Sequence, residues 1–395
     1  MRNPLLPHEI TGDRVQVQVS GEDRDTSVLR VAILGSRGIP ARYSGYDTLA
    51  EELSLGLVQS GRAQVLVYCR TNYYPEHPRL WQGVELVYLP APRLKAVESL
   101  LHSFLSSLHV LRKNVDVIYF LDPANAPFCA LLRLFGKRVV THTDGLGWKR
   151  RKWGPLARRY YKLVEWVCAR CATALVTDNP AMQEYYRAEY GANSSYIPYG
   201  SASRYGVDES VYDELGLTPG GYLLVVARLE PENNADFLIE EYSRTAVKLP
   251  LIVVGDWPYS PQFKRRLDAL ANDRVLFVGR VNDQRKLNAL YKGAYLYLHG
   301  HEVGGTNPSL LRAMQAGATP VVIDVPFNTY VIGDCGFTFQ HTTGALSRLL
   351  ECLVTCPAEV EHVGRKAKLR VESKFNWNSV VQDHVRLFRG LMQKA

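Results

Sequence analysis

The stretch from Ala294 to Pro320 constrains the chain more than any other. Ala294-Tyr-Leu-Tyr-Leu298 is an apolar run rich in β-forming residues and reads as a buried strand. His299 to Thr306 follows as a glycine-rich turn. Asn307 then stands at a helix N-cap position, and Pro308 fits the first helical position, where its missing N–H costs nothing. Leu310, Leu311 and Met314 give that helix a buried side, and Gly317 marks its end. A strand, a glycine turn and a helix start together offer backbone N–H groups and the positive end of a dipole. Gly304 and Gly305 are expected to let a ligand approach the main chain closely. An anion, first of all a diphosphate, suits such a turn. An ordinary strand-to-helix connection is the plainer alternative.

The same unit occurs once before. Val28 to Leu34 reads as a strand and runs into Gly35-Ser-Arg-Gly-Ile-Pro-Ala-Arg-Tyr-Ser-Gly45. A helix from Tyr46 to Gln59 follows, with Leu49, Leu53 and Leu57 on its apolar side. These glycines do not match the G-x-G-x-x-G dinucleotide fingerprint, which disfavours a Rossmann dehydrogenase. Gln64 to Tyr68, Val84 to Leu89, Val115 to Phe120, Arg138 to His142, Ala174 to Thr177 and Ser195 to Pro198 read as further strands between helices, the pattern of a parallel doubly wound sheet. A looser segment, Tyr199 to Gly221, has the composition of a linker. Beyond it, Tyr222 to Ala227, Leu251 to Val254, Val275 to Val278, Ala294 to His299 and Pro320 to Ile323 repeat the alternation, and a helix from about Ser379 to Leu391 ends the chain. The expected organisation is a flexible leader over 1–27, one α/β domain over 28–205, a second over 206–374, and a C-terminal helix over 375–395 packing back toward the first domain. Each domain carries a glycine loop at the carboxyl end of a strand, where open parallel sheets place their ligands, so a cleft between them is the natural active site.

With 395 residues, 46% hydrophobic and 22% charged, the chain is long enough for two full cores and ordinary for a globular protein. A net charge of +8 biases the surface toward acidic partners: nucleotide sugars, anionic lipid or nucleic acid. The seven cysteines are odd in number and sit mostly in apolar segments, unlike a disulfide framework, and a reducing cytoplasm fits them best. Cys168 and Cys171 lie in a helical pattern with no second pair at zinc spacing. No run reaches the ~18 apolar residues of a membrane span, and the opening residues lack a signal-peptide core. The expectation is a protein neither secreted nor integral to the membrane.

Four motifs appear in order: Gly-Ile-Pro-Ala-Arg-Tyr-Ser-Gly-Tyr from Gly38, His-Thr-Asp-Gly-Leu from His142, Arg-Leu-Glu-Pro-Glu-Asn-Asn from Arg228, and His-Glu-Val-Gly-Gly-Thr-Asn-Pro-Ser-Leu-Leu from His301. Over about residues 29 to 390 the chain resembles the retaining GT-B glycosyltransferases of family 4, most of all a bacterial rhamnosyltransferase-like subgroup tied to cell-surface polysaccharides. The resemblance implies an α/β GT-B fold of two Rossmann-like doubly wound domains facing a central cleft. It implies transfer of a hexosyl or deoxyhexosyl group from a nucleotide-diphosphate sugar in the C-terminal domain to a saccharide or lipid-linked acceptor in the N-terminal domain. It implies no metal and no cofactor beyond the donor, because basic side chains and helix N-termini neutralise the leaving diphosphate. The donor positions that match are Gly38, Gly45, Arg228, Asn233, Gly304, Gly305, Thr306, Asn307, Ser309, Leu310 and Arg312. Arg228 matches the arginine that grips the phosphate, with an ion pair to Glu230 or Glu232 as its plainer role. Asn233 stands where relatives often carry a lysine and brings an amide without charge. His142 and Asp144 are the matching catalytic positions, beside the plainer readings of a core histidine and a turn-forming aspartate.

One position departs from the pattern. Most relatives carry a glutamate where this chain has Arg312, and that glutamate accepts hydrogen bonds from the nucleotide ribose. An arginine has no acceptor, and charged hydrogen bonds contribute about 1.5 to 3 kcal/mol each. Either Arg312 grips the diphosphate or a different donor, or the chain is a degenerate sugar-nucleotide-binding or partner subunit. A basic and aromatic cluster, Lys149, Arg150, Arg151, Lys152, Trp153, Arg158 and Arg159, suits an anionic membrane surface or a lipid-linked acceptor, with a solvated helix start as the alternative. A second segment, Pro92 to Lys113, carries Leu100, Leu101, Phe104, Leu105 and Leu108, whose side could equally be core. These features lead to the expectation of a cytoplasmic protein, peripheral on the inner face of the cell membrane. Nucleic acid is not expected as a partner, since no recognised nucleic-acid module accompanies the basic stretch.

Overall fold

The computed structural model describes residues 27–41, 44–92, 97–143, 145–151, 154–201, 204–256 and 261–393. Nearly all of the leader assigned from the sequence, together with Asp144, Lys152 and Trp153, lies outside the described residues. The first sheet is built from β1 (Leu29–Leu34), β2 (Ala63–Arg70), β3 (Leu80–Trp81), β4 (Val84–Leu89), β5 (Val117–Leu121), β6 (Val139–Thr143), β7 (Ala174–Thr177) and β8 (Ser195–Tyr196). Its strand order is β3-β4-β2-β1-β5-β6-β7-β8. Every pairing is parallel except the short antiparallel β3–β4 contact, and β1 sits centrally, with Leu29 opposite Ala63 and Val31 opposite Val117. Buried on both faces, strands such as Val117-Ile-Tyr-Phe-Leu121 are apolar throughout.

The crossover helices are α1 (Gly45–Gln59), α2 (Glu98–Leu111), α3 (Ala126–Leu134), α4 (Pro155–Cys171) and α5 (Pro180–Tyr190). Right-handed crossovers place α1 on one face of the sheet and α2 to α5 on the other, because the chain steps one way from β1 to β2 and the opposite way from β4 through β8. The second domain repeats the plan with β9 (Leu223–Val226), β10 (Leu251–Val254), β11 (Val275–Gly279), β12 (Leu296–His299), β13 (Thr319–Ile323) and β14 (Phe337–Phe339), ordered β11-β10-β9-β12-β13-β14 and wholly parallel. Its helices are α6 (Ser210–Leu215), α7 (Ala235–Ser243), α8 (Pro261–Leu270), α9 (Gln284–Lys292), α10 (Pro308–Ala316), α11 (Pro326–Ile332), α12 (Ala345–Leu353) and α13 (Pro357–Lys374).

The last helix, α14 (Trp377–Gln393), crosses from the second domain to the first and lies along α1. Val380, Val381, Val385 and Phe388 are buried there. Gly56 on α1 gives Val381 its place, since a methyl group on Gly56 would collide with the Val381 side chain. Arg138 Nε donates to the Leu391 carbonyl at 3.1 Å near the far end. Deleting side-chain bulk from α1 is thus what lets the terminal helix tie the domains together. Gly56→Ala should cost about 1 to 3 kcal/mol by overpacking this contact, read as a lower midpoint in urea. Val381→Ala made in that background should recover most of the loss, whereas two additive losses would show that the contact does not set the packing.

Candidate functional site

The carboxyl ends of the two sheets face one another, and the loops that leave them enclose a cavity of about 200 Å³. From the first domain come Gly35 to Arg37, Ser44 to Asp47, Asp122, Pro123, Gly145, Gly147 and Arg150; the second contributes Arg228, just past β9. Four guanidinium groups, Arg37, Arg70, Arg150 and Arg228, line this space. The acids among the lining residues are largely committed elsewhere. Asp47 accepts from the backbone N–H of Arg37 at 2.9 Å and of Ser44 at 3.1 Å, completing a capping box at the start of α1. Glu165 Oε2 accepts from the hydroxyls of Tyr185 and Tyr190, both at 2.8 Å. Burial pushes the carboxyls of Asp47 and Glu165 up from their ordinary range. Arg70 pairs with Glu98 at 3.1 Å and donates to Ser99, and Arg228 stands 3.6 Å from Glu230. The four guanidinium groups share this space with three carboxyls, two of them with pKa values raised by burial.

Asp122 also faces this space, at the carboxyl end of β5, and its backbone has φ 77° and ψ 119°. Its Oδ1 accepts from the Ala124 N–H at 2.9 Å. A non-glycine residue held there stores strain of order 1 to 3 kcal/mol, of the kind that gathers at functional sites. Sequence reasoning passed over Asp122, and nothing local marks it beyond aspartate's tolerance of positive φ.

The turn singled out from the sequence forms as a strand, a loop and a helix, and its Thr306 and Ser309 groups bond within the protein. Asn307 Oδ1 accepts from Ser309 N at 3.0 Å and from Ser309 Oγ at 2.8 Å, and Ser309 Oγ in turn accepts from the Tyr297 hydroxyl at 2.8 Å. Asp178, from the end of β7, accepts the Thr306 N–H at 2.7 Å, while the Thr306 hydroxyl donates to the Asp178 carbonyl at 2.6 Å. A methyl group on Gly305 would collide with the Asp178 carboxylate, and one on Gly145 would lie 2.8 Å from the Gly304 Cα. Gly305 and Gly145 are therefore needed for the close approach of the two domains, whereas a methyl group on Gly304 would meet open space. Gly38, with φ 118°, packs against Cys69 in the same manner, whereas Gly45 lines the cavity and a methyl group added to it would lie 3.5 Å from the Pro308 ring. Leu310 buries its side chain fully in the core.

Two further positions are held by contacts within the protein. The Asn233 amide, read as a donor to phosphate, gives its hydrogen to the Arg228 carbonyl at 2.7 Å, and Asn234 does the same for Gly300 at 2.8 Å. This pair stitches the loop after β9 to the loop after β12 and so holds Arg228 in place. Arg312 donates to Gln284 Oε1 at 2.8 Å and to Asn288 Oδ1 at 2.5 Å and lies over the Tyr291 ring at 5.4 Å. These are neutral partners, so its charge is stabilised by dipoles and a π face. In the basic cluster, Arg150 lines the cavity, Arg151 joins the domains through Glu302 at 2.8 Å, Lys149 lies over Trp148, and Arg158 and Arg159 are exposed on α4.

His142 lies one layer behind the cavity wall. It is buried edge-on to Tyr46, Tyr119 and Tyr199. A chain of hydrogen bonds fixes its proton. His384 Nδ1, 2.8 Å from the Val380 carbonyl, must donate to it, so His384 Nε2 accepts from the Tyr119 hydroxyl at 3.0 Å. The Tyr119 oxygen then accepts from His142 Nδ1–H at 2.8 Å, leaving a lone pair on His142 Nε2 that has no hydrogen-bond partner among the described residues. Burial holds His384 down to about 4, and burial with the nearby His384 holds His142 down to about 3. Both rings are neutral at physiological pH. The terminal helix thus presents His142 as an acceptor, a link that no sequence motif announces because its members are 265 and 23 residues apart.

The comparisons with known proteins agree with this geometry. Residues 28–202 match the domain of unknown function DUF1972, and residues 215–370 match glycosyl transferases group 1. An uncharacterized glycosyltransferase of Methanocaldococcus jannaschii, MJ1069, is 28% identical over 156 residues, which is 37% of this chain and 38% of that protein, so the match spans well under half of either. The sucrose-phosphate synthase of Thermosynechococcus elongatus superposes with a TM-score of 0.80 at 18% identity, over 93% of this chain and 100% of that one. Anabaena Alr3699/HepE in complex with UDP-glucose gives 0.69 at 14%, again over 93% and 100%. The catalytic domain of Starch Synthase IV from Arabidopsis thaliana, bound to ADP and acarbose, gives 0.73 at 12% over the same shares. The fold is GT-B, with two Rossmann-like parallel-sheet domains across a cleft.

Two outcomes follow from these contacts. Asp178→Asn should weaken the hold on Thr306 by about 1 to 3 kcal/mol, seen as roughly tenfold or faster hydrogen exchange at the Thr306 amide with the sheets unaffected. Lowered histidine pKa values make the folded state bind fewer protons than the unfolded chain below the ordinary histidine range near pH 6.5. The stability from His142 and His384 is therefore complete above that pH and is lost as pH falls toward about 4 and 3. Melting temperature should drop across that window, and His384→Gln should flatten the drop by about one proton.

Proposed function

We propose that the protein is a glycosyltransferase that takes a hexosyl or deoxyhexosyl group, rhamnosyl among them, from a nucleotide-diphosphate sugar. The acceptor is a saccharide of a cell-surface polysaccharide or its lipid-linked precursor. The observation that carries this reading is the placement of Arg228 in a cavity between the domains, opposite the glycine loop Gly35 to Arg37 and beside Gly45, which meets the first residue of α10. The group 1 match over 215–370 and neighbours solved with UDP-glucose or ADP support a nucleotide sugar as donor.

The residues would divide the work as follows. Arg228, with Arg150 and Arg37 across the gap, receives the negative charge that grows on the departing diphosphate. Its guanidinium can hold two phosphate oxygens, and the Asn233 amide keeps the backbone beneath it fixed. The bare Nε2 of His142 accepts from a sugar hydroxyl once Tyr46 makes way. With retention of configuration, the donor phosphate takes the acceptor proton, so no protein base is needed. A partner subunit without transfer is the second reading, favoured by Arg312, whose guanidinium is already held by Gln284 and Asn288 where relatives place a carboxylate.

Calorimetric titration with UDP, GDP, ADP and dTDP and their sugars, together with release of nucleotide in the presence of acceptor, separates these readings. Arg228→Ala should lower kcat/KM about a hundredfold, with Arg228→Lys recovering part of it. If the native chain binds no nucleotide and Arg312→Glu does, the transferase reading is wrong.

A further inference from the structure

Helix α2 is built inside out. Its buried side carries His102, Ser103, Ser106 and Ser107 with Val110, while Val97 just before it and Leu101, Phe104 and Leu108 project outward. Their spacing of four, three and four residues makes one continuous stripe. A solvated helix shows the reverse arrangement. The small buried serines let α2 lie close to the sheet, but they give no reason for four large apolar side chains outside.

The stripe has company. Helix α4 presents Leu156, Arg159, Leu163, Trp166 and Arg170 at the same helical spacing, all exposed, with Arg170 over the Trp166 ring at 5.9 Å. Between the two lies α3, which joins α2 through Phe104 and Phe128, their rings 6.1 Å apart, and ends in the exposed pair Leu134 and Phe135. All three helices cover the same face of the first sheet. Among the described residues, nine of the fifteen most exposed large apolar side chains fall between Val97 and Trp166. That concentration is more than scattered surface hydrophobicity.

We infer that the outer face of α2, α3 and α4 is a docking surface for an anionic lipid bilayer. Charge selects the occupant. The segment from Val97 to Cys171 holds thirteen lysines and arginines against five acids; Glu98 and Glu165 are consumed by Arg70 and by a pair of tyrosines, while Lys113, Arg151 and Lys162 pair with Glu85, Glu302 and Glu189 from outside the segment, and the cations still outnumber the acids. On α4 the apolar residues alternate with arginines whose stems can lie along hydrocarbon while their heads reach phosphate. A symmetric dimer through this face would set these cations against their own copies. Nucleic acid would leave the leucines without a partner. The face also reaches the cleft, since Ser99 at the start of α2 and Gly147 and Arg150 ahead of α4 line the cavity. On the proposed transferase reading, an acceptor anchored in the bilayer would enter there. The lipid contact itself does not depend on that reading.

The test is sedimentation of the full chain with vesicles of phosphatidylcholine alone and of phosphatidylcholine with an equal part of phosphatidylglycerol. The protein should pellet with the anionic vesicles only. Phe104→Ser with Leu108→Ser should weaken that binding by about tenfold or more, and Arg159→Gln with Arg170→Gln should weaken it and reduce its salt dependence. Circular dichroism and nucleotide binding, measured in parallel, should be unchanged in the first variant, so that loss of the transferase reading and loss of this one are told apart. The inference is overturned if the native chain ignores anionic vesicles, if neither double variant changes the binding, or if sedimentation velocity finds a dimer that Phe104→Ser with Leu108→Ser dissociates.

Discussion

The two halves of this molecule meet through a carboxylate on an amide. Asp178, at the carboxyl end of one sheet, accepts the Thr306 N–H at 2.7 Å in the turn that leaves the other. Glycine at 305 and at 145 allows that approach, because any larger residue would push the domains apart. Around this contact the remaining bridges fall into place: Arg151 with Glu302, the Asn179 amide on the Phe327 carbonyl at 3.2 Å, and the crossing of α14 onto α1. The space left over is the cavity that holds the four arginines. Its size and charge follow from where the domains stop.

The fold was open to reading because parallel strands buried on two faces leave unbroken apolar runs, and because helices between them keep a 3.6-residue period. Val84 to Leu89 and Leu251 to Val254 agree with the sheet to the residue. The two strands that escaped notice, Leu80–Trp81 and Phe337–Phe339, are short edge pieces too brief to show a period. Asn307, Pro308 and Gly317 mark the limits of α10 as their chemistry requires, with Gly317 in the left-handed region at φ 90°.

The site was less legible, for a physical reason. A glycine shows that something comes close but not what, and here the neighbour of Gly305 is an aspartate 127 positions earlier in the chain. Asn233 is polar and adjacent to the arginine it was expected to help, and it does so by fixing the backbone rather than by reaching into the cleft. The apolar residues of α2 have a helical period whichever way they face. Only packing reveals that the serines took the inside. Long-range pairings such as Tyr119 with His384 leave no local trace at all.

Arg312 illustrates how such a position can change without unfolding the helix that carries it. A cation in the second turn of a helix meets the unfavourable end of the dipole, and burial lowers the pKa of this guanidinium from its ordinary value. Two amide oxygens and the face of Tyr291 offset that cost with no carboxylate involved. A glutamate at 312 would face those amide oxygens unless both side chains turned, and turning them would give up the bonds their amide nitrogens make to the carbonyls of Asn282, Tyr205 and Gly206. The guanidinium of Arg312 is therefore one member of a packed contact between α9 and α10, and what position 312 tolerates depends on Gln284 and Asn288 as much as on the arginine.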